Sequence, residues 1–361
     1  MKTAVLGSGN GGCAVAYDLS RSGADVYLFD FPDFPVNIDA VSKAGGIHAA
    51  GELDGFAPVK YAGHDIEKTL ENAELIFVVG PAYSTESFGK VCRQYLKKGQ
   101  KYVVCPSSCG GAVVFKNALG LGFADRNVIV AETSTLPYAV RSLEPGKIHI
   151  YLKLKDGVFM AALPGSANEE MMGLLKPLFP CLAAVKNVMH TSLQNANPVI
   201  HPTVTIFNAA LVERTKGDFL FYEEGVTDAV GNVLEAVDKE RIAIGKALGI
   251  TIISDPVLGR RQGYMFDETY SVGYSKAPGF KGIKAQADLR NRYLMEDVAY
   301  GLVFFSELGK QVGVPTPVID SIICLASTLL QKDFAGEKLR TMESIGLGGY
   351  SPDELTEILG G

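Results

Sequence analysis

The sequence predicts an α/β fold in two parts, a doubly wound parallel sheet in the N-terminal half and an all-helical C-terminal domain. Three observations carry that expectation. A short apolar strand at residues 3–6 runs straight into a glycine turn and a helix. Strand-like and helix-like stretches then alternate as far as about Pro164, the pattern of a parallel sheet covered by helices. After about Lys186 the strand signals nearly vanish and apolar residues recur at helical spacing. A chain of 361 residues is too long for one ordinary core, so two domains are expected, 1–185 and 186–361.

The opening elements are the most informative. Residues 3–6 read as a buried strand, and Gly7, Ser8, Gly9, Asn10, Gly11 and Gly12 follow it. In Gly7-x-Gly9-x-x-Gly12 the first glycine permits the tight turn, the second lets backbone approach a pyrophosphate, and the third lets helix pack on strand. The helix start offers unpaired N–H groups and a positive dipole end to phosphates. Asp30 closes the next apolar run (25–29), where its carboxylate accepts hydrogen bonds from both hydroxyls of an NAD ribose. Strand, turn, helix, second strand and acid in this register define a Rossmann-type dinucleotide site. Phe31, Pro32 and Asp33 bring no arginine for a 2′-phosphate, so NADH is expected over NADPH.

Further strands are expected at 75–79, 102–105 and 127–131, with helices between them such as 86–97. Nucleotides bind beyond the carboxyl ends of such strands. The loops Gly80-Pro81-Ala82 and Pro106-Ser107-Ser108 should therefore rim the cofactor cleft, which makes Pro81 a candidate cofactor contact. A hairpin of 147–153 with 158–163, turning at Asp156-Gly157, is expected to close the domain. In the second half, helical spacing covers 199–215, 225–248, 293–313 and 318–331, and Gly313, Pro315 and Pro317 break the last two apart. Segment 259–288 has no clear period and reads as a long loop, a kind that is more often functional than not. Its Tyr264, Tyr270 and Tyr274 either line an apolar pocket or anchor the loop.

Composition excludes several classes. A net charge of −6 without a basic stripe argues against a nucleic-acid partner. No apolar stretch reaches the length of a membrane span, and the first strand follows Met1 too closely for a signal peptide, so a cytoplasmic protein is expected. Six cysteines without a Cys-x-x-Cys pair read as reduced, buried thiols, Cys13 among them as a packing residue. Five histidines lack ligand spacing, and no metal is expected. A homodimer through the helical domain is the usual outcome for an enzyme of this size.

Two polar clusters in the helical half invite a chemical reading. His201, just before Pro202, is expected at a helix start with the proline in the first turn. It either caps that turn or acts as the proton-transferring group that reduction at a carbonyl or imine carbon needs; its place where the two domains meet favours the second. Arg292 and Asp297 open the helix that follows. They form either a solvated charged face or a working pair, in which the guanidinium grips a substrate carboxylate and the aspartate fixes the imidazole.

Three segments resemble the opine dehydrogenases of the octopine and nopaline dehydrogenase type. They are Glu132-Thr133-x-x-Leu136-Pro137-Tyr138-x-x-Arg141, Asn197-Pro198-x-x-His201-Pro202 with Asn208 following, and Arg292-Tyr293-Leu294-x-Glu296-Asp297. The resemblance covers essentially the whole chain. It implies NAD(P)H-dependent joining of an amino acid to a 2-oxo acid through an imine. It also implies a His201–Asp297 dyad, a 2-oxo acid carboxylate on Arg292, and an amino-acid contact at Glu132. The walls that choose the amino acid would include Tyr138 and loop 259–284. The runner-up is a ketopantoate reductase or glycerol-3-phosphate dehydrogenase, which would need a lysine that 190–203 lacks. A non-catalytic NAD-sensing protein is the reading from another class, and it would not need His201, Arg292 and Asp297 together.

Overall fold

The computed structural model describes residues 1–360, and the chain divides into two compact units. The first comprises Met1–Ser107, Gly111–Thr191 and the residues from Ile358; the second comprises Ser108–Gly110 and Ser192–Glu357.

The first unit opens with β1 (Lys2–Leu6), α1 (Asn10–Arg21) and β2 (Asp25–Phe29), then α2 (Pro35–Ala44). Next come β3 (Gly46–Gly51), β4 (Gly55–Pro58), β5 (Tyr61–Gly63) and α3 (Ile66–Leu70). The alternation resumes with β6 (Leu75–Val78), α4 (Thr85–Cys92), β7 (Lys101–Val104), α5 (Gly111–Ala118) and β8 (Ile129–Thr133). It ends with β9 (Tyr138–Glu144), β10 (Lys147–Lys153), β11 (Val158–Leu163), α6 (Asn168–Leu175), β12 (Leu182–Ala184) and α7 (Val188–Leu193).

Eight of these strands form the main sheet in the order β12-β11-β8-β7-β6-β1-β2-β5. From β8 to β5 every neighbouring pair is parallel. β6 and β8 are buried along their whole length, as expected of Val/Ile-rich strands covered on both faces. The chain leaves β1 toward β2 on one side and returns to β6 on the other, with Leu6 opposite Val78. That reversal is the switch point where α/β sheets bind ligands. The glycine turn after β1 and Gly80-Pro81-Ala82 after β6 both emerge there.

The expected hairpin is a correction. β10 and β11 belong to different sheets: β10 pairs with β9 and β3, whereas β11 runs antiparallel to β8. The true turn is Pro145-Gly146 between β9 and β10, with Gly146 at φ +74°. β3, β4, β9 and β10 make a second, four-stranded sheet that the sequence reading did not anticipate.

The second unit is helical. It holds α8 (Asn197–Phe207), α9 (Ala209–Thr215), α10 (Asp228–Ala247), α11 (Asp255–Gln262), α12 (Val272–Ser275) and α13 (Arg292–Met295). A π-helical turn, Asp297–Leu302, then leads into α14 (Val303–Val312), followed by α15 (Pro317–Leu330) and by α16 (Pro352–Gly360), whose residues from Ile358 count with the first unit. Strand pairing among its described residues is one isolated bridge, Leu220 with Lys284. Segment 259–288 is more ordered than expected, for it contains the end of α11, all of α12 and a 3₁₀ turn at Pro278–Phe280. Two of its tyrosines are anchors: Tyr274 donates to Asp255 and Tyr270 to Asp238. Asp238 also accepts from Arg241 Nε at 2.7 Å and from the Asp255 N–H at 2.8 Å, all within the core.

Candidate active site

In the first unit the glycine turn is fixed by sterics. Gly7 sits at φ +108°, where a Cβ would lie 2.0 Å from the Val79 carbonyl oxygen. A Cβ on Gly12 would meet the Gly7 oxygen at 1.8 Å. Gly9 is different, because a Cβ there would touch nothing within 4 Å of the protein. A glycine that the protein's own packing does not require leaves room for a bound group, and this cradle fits a pyrophosphate. Gly9 also precedes α1, so the first N–H groups of that helix face the same space.

Asp30 is locked to this turn. Its Oδ2 accepts from the Ser8 N–H at 2.7 Å and the Ser8 hydroxyl at 2.6 Å, and Oδ1 accepts from the Phe31 N–H at 2.9 Å. Asn10 Oδ1 accepts from the Ser142 N–H at 3.0 Å, and Gly11 packs under Leu136 and Val79. Pro81 precedes the 3₁₀ turn Ala82–Ser84, and its carbonyl accepts from the Ser84 hydroxyl at 2.8 Å. The Cys13 thiol is buried; desolvation, with the Asp30 charge beside it, pushes its pKa up to about 12, which marks it as a packing residue. Glu132, on β8, is wholly buried, accepting from the Ala112 N–H at 2.7 Å and from the Thr191 hydroxyl. Tyr138 is also buried, and its hydroxyl donates to Asp18 Oδ2 at 2.6 Å, so it is a core anchor and not a pocket wall.

In the second unit α8 begins at Asn197 with Pro198 in its first turn. His201 and Pro202 therefore lie inside the helix and not at its start, which corrects the expected boundary by one turn. Gly301, in the π-helical turn, explains how the opposing group comes close, since a Cβ there would lie 2.3 Å from Pro198 Cγ. Across this tight contact His201 Nδ1 and Asp297 Oδ2 are 2.8 Å apart, with both side chains under a tenth exposed. With its hydrogen on Nδ1, a neutral ring presents Nε2 as its acceptor nitrogen. Tyr293 stacks on the imidazole with centroids 3.9 Å apart at 14°, and the Tyr222 hydroxyl lies 3.4 Å from Nε2.

Arg292 opens α13, which Asn291 caps by accepting from the Tyr293 N–H at 2.8 Å. Its side chain is half exposed, and Nε faces Glu296 Oε2 at 3.5 Å. Burial pulls the guanidinium pKa down while Asp297, Glu296, Tyr293 and Tyr222 push it up, and the net shift is upward. The group stays charged while open to a ligand. Glu296 also accepts from the Ser108 hydroxyl at 3.4 Å, and Ser108 and Cys109 both hold left-handed backbone, at φ +47° and +65°. His201, Asp297 and Arg292 thus gather in one unit, and Gly7 to Gly12, Asp30, Pro81 and Glu132 in the other. Tyr222 was missed by sequence reasoning: it lies in the aromatic run Phe219-Leu220-Phe221-Tyr222, which has no helical or strand period.

A nucleotide-type turn at a sheet's switch point, with a carboxylate-paired imidazole in a helical unit, belongs to the two-domain NAD(P)-dependent oxidoreductases. Residues 184–330 match the family model of the NAD/NADP octopine/nopaline dehydrogenase, alpha-helical domain. The chain is 36% identical to an opine dehydrogenase of Arthrobacter sp. (strain 1C), covering 96% of each. Its fold is similar to that of octopine dehydrogenase solved with NADH and L-arginine, with a TM-score of 0.79 and 20% identity over 100% of this chain and 98% of that one. It is also similar to yersinopine dehydrogenase with NADP⁺ bound, with a TM-score of 0.74 and 16% identity over 100% and 98%. The chain belongs to the opine dehydrogenase family and is an NAD(P)-dependent oxidoreductase acting on CH–NH. The resemblance read from three short segments is confirmed, and the ketopantoate reductase and sensor readings fall away.

Proposed function

We propose that the enzyme joins the amino group of an amino acid to a 2-oxo acid such as pyruvate, using NADH, and catalyses the reverse oxidation. The His201–Asp297 bond carries this reading, because it aims a proton-accepting Nε2 away from the carboxylate. Nε2 takes a proton from the amino acid's ammonium, and the freed amine attacks the 2-oxo carbon. The oxygen of the adduct takes one proton from the attacking nitrogen and the second from the imidazolium, steadied by Asp297, and leaves as water to give the protonated imine. When bound, the reduced nicotinamide supplies the hydride that completes the amine. Arg292 holds the 2-oxo acid carboxylate in its fork. Glu132 is assigned to the amino-acid side by the family resemblance, and its carboxylate is held in place by the Ala112 N–H and the Thr191 hydroxyl.

On the cofactor side, Gly7 to Gly12 cradle the pyrophosphate, Pro81 borders the site, and Asp30 accepts from the ribose hydroxyls. Asp30 would repel a 2′-phosphate, and losing its charged hydrogen bonds weakens NADPH by about 2–4 kcal/mol. We also infer a homodimer through the helical unit, supported by Leu325 and Leu329, exposed four residues apart on α15. Equilibrium sedimentation tests it, and a monomer mass overturns it. A cytoplasmic location is supported by six free thiols, five of them buried; Cys324, on the outer face of α15, is exposed and not buried as expected. No helix among the described residues is long and apolar enough to cross a membrane.

The test is loss of absorbance from NADH with pyruvate and a panel of amino acids. Turnover that requires both an amino acid and a 2-oxo acid is expected, with kcat/KM for NADPH well below that for NADH. Turnover with the 2-oxo acid alone would overturn the condensation, and equal specificity constants would overturn the cofactor preference.

A further inference from the structure

Tyr222 stands at the reactive nitrogen of His201. With Nδ1 committed to Asp297, Nε2 is the acceptor, and the phenol oxygen is 3.4 Å away. The phenol is held from behind. Tyr222 is buried, and its ring stacks on Phe280 with centroids 4.2 Å apart at 15°. Phe280 stacks in turn on Tyr264 at 5.2 Å. The backbones carrying the two rings are bonded together, Phe221 N–H to Ile283 O at 2.8 Å and Ala285 N–H to Phe219 O at 3.0 Å. Segment 259–288 therefore sets where the Tyr222 hydroxyl points.

We propose that Tyr222 is a positioning residue of the proton relay, keeping Nε2 in line before and after it takes a proton. This rests on the reading of His201 as the base. Before transfer the phenol O–H donates to the Nε2 lone pair. At 3.4 Å that bond is long, so it yields readily to a substrate. Transfer breaks one N–H bond of the substrate ammonium, leaves the electron pair on its nitrogen and forms Nε2–H. The positive charge passes to the ring beside Asp297. The phenol then turns about its C–O bond, and its oxygen accepts from Nε2–H. A hydrogen bond from a charged donor is stronger than one to a neutral acceptor, so Tyr222 favours the protonated ring. The ionisable groups around the imidazole are Asp297, Tyr222 and Tyr293, and Arg292 and Glu296 bear on the same cluster.

The experiment is the pH profile of Tyr222→Phe in the full-length enzyme, with NADH, pyruvate and the best amino acid of the panel. A kcat lower by about five- to tenfold is expected, the worth of one hydrogen bond. KM for NADH should stay in place. The apparent pKa on the acid limb of kcat/KM should fall by about half a unit or more, since support for the imidazolium is lost. Tyr17→Phe removes a comparable hydroxyl, which donates to the Asp54 carbonyl in the first unit, and should leave the acid limb unmoved. A Tyr222→Phe enzyme with wild-type kcat and acid limb overturns the proposal, as does an equal shift in Tyr17→Phe. Should Tyr222→Phe not fold, Phe280→Leu loosens the same phenol, and an unmoved acid limb there overturns it. An active His201→Ala enzyme would instead overturn the base assignment itself.

Discussion

A neutral imidazole has one N–H, and the group that receives it decides what the ring can do. In His201 that hydrogen goes to Asp297 at 2.8 Å, in a place with almost no solvent to compete for it. Without Asp297 the ring samples the other tautomer and loses the stabilisation of its charged form. His201→Ala and Asp297→Ala should therefore each lower kcat by about 10²–10⁴-fold. The double variant should lose little more than the worse single one, because groups acting as a unit are not additive. Fluorescence titration should find NADH affinity nearly unchanged, since the glycine turn and Asp30 belong to the other unit. Multiplying losses in the double variant would separate the two roles. These residues were legible in the sequence because each lies in a short motif that resembles the family's, although His201 falls inside its helix and not at the start. Tyr222 was not, since its meaning comes only from a contact spanning 21 residues and a stack on Phe280.

Which elements bring His201 to Asp297 is a question of helix packing. α8 and the π-helical turn meet where Gly301 faces Pro198, and the missing side chain sets how close they come. The wider π turn starts at Asp297 itself, the kind of local irregularity that recurs at functional sites. Gly301→Ala would drive a methyl into Pro198 at 2.3 Å, a misfit costing about 1–3 kcal/mol if it is absorbed by separating the two elements. The expected outcome is a modest fall in Tm with a large fall in kcat and unchanged NADH binding. A variant with normal kcat would show that the dyad does not depend on this approach. No sequence signal announced the π turn, because its apolar residues fit an ordinary helix equally well. The hairpin error has a different origin. Residues 147–153 alternate in burial whereas Val158–Leu163 is buried throughout, the signature of a strand inside a sheet covered on both faces. That contrast was readable, but the Asp-Gly turn signal outweighed it.

Over the whole molecule, the alternation of apolar runs revealed the main sheet, and helical spacing revealed the second unit, because both follow from burial periodicity. Charges buried in the cores left no such trace. Lys116 is fully buried and donates to the carbonyls of Phe123, Asp125 and Leu163 at 3.0, 2.7 and 2.7 Å. Burial lowers its pKa to about 8. The cluster of Asp238, Arg241 and Asp255 sets two carboxylates against one guanidinium. Burial, and then the charge of Asp238, hold the Asp255 carboxyl well above the ordinary carboxylate range, with Arg241 pulling the other way. In the unfolded chain Asp255 ionises near 3.8, while in the folded protein it keeps its proton to higher pH. Between those limits the native state carries the extra proton, so this group's contribution is full at low pH and lost as pH rises. Asparagine does not ionise, and its amide oxygen still accepts from Tyr274. Calorimetry should therefore find Asp255→Asn close to the wild type in Tm near about pH 4 and increasingly above it as pH rises from there. A wild type that gains on the variant as pH rises would mean that Asp255 is ionised and that Arg241 serves both carboxylates.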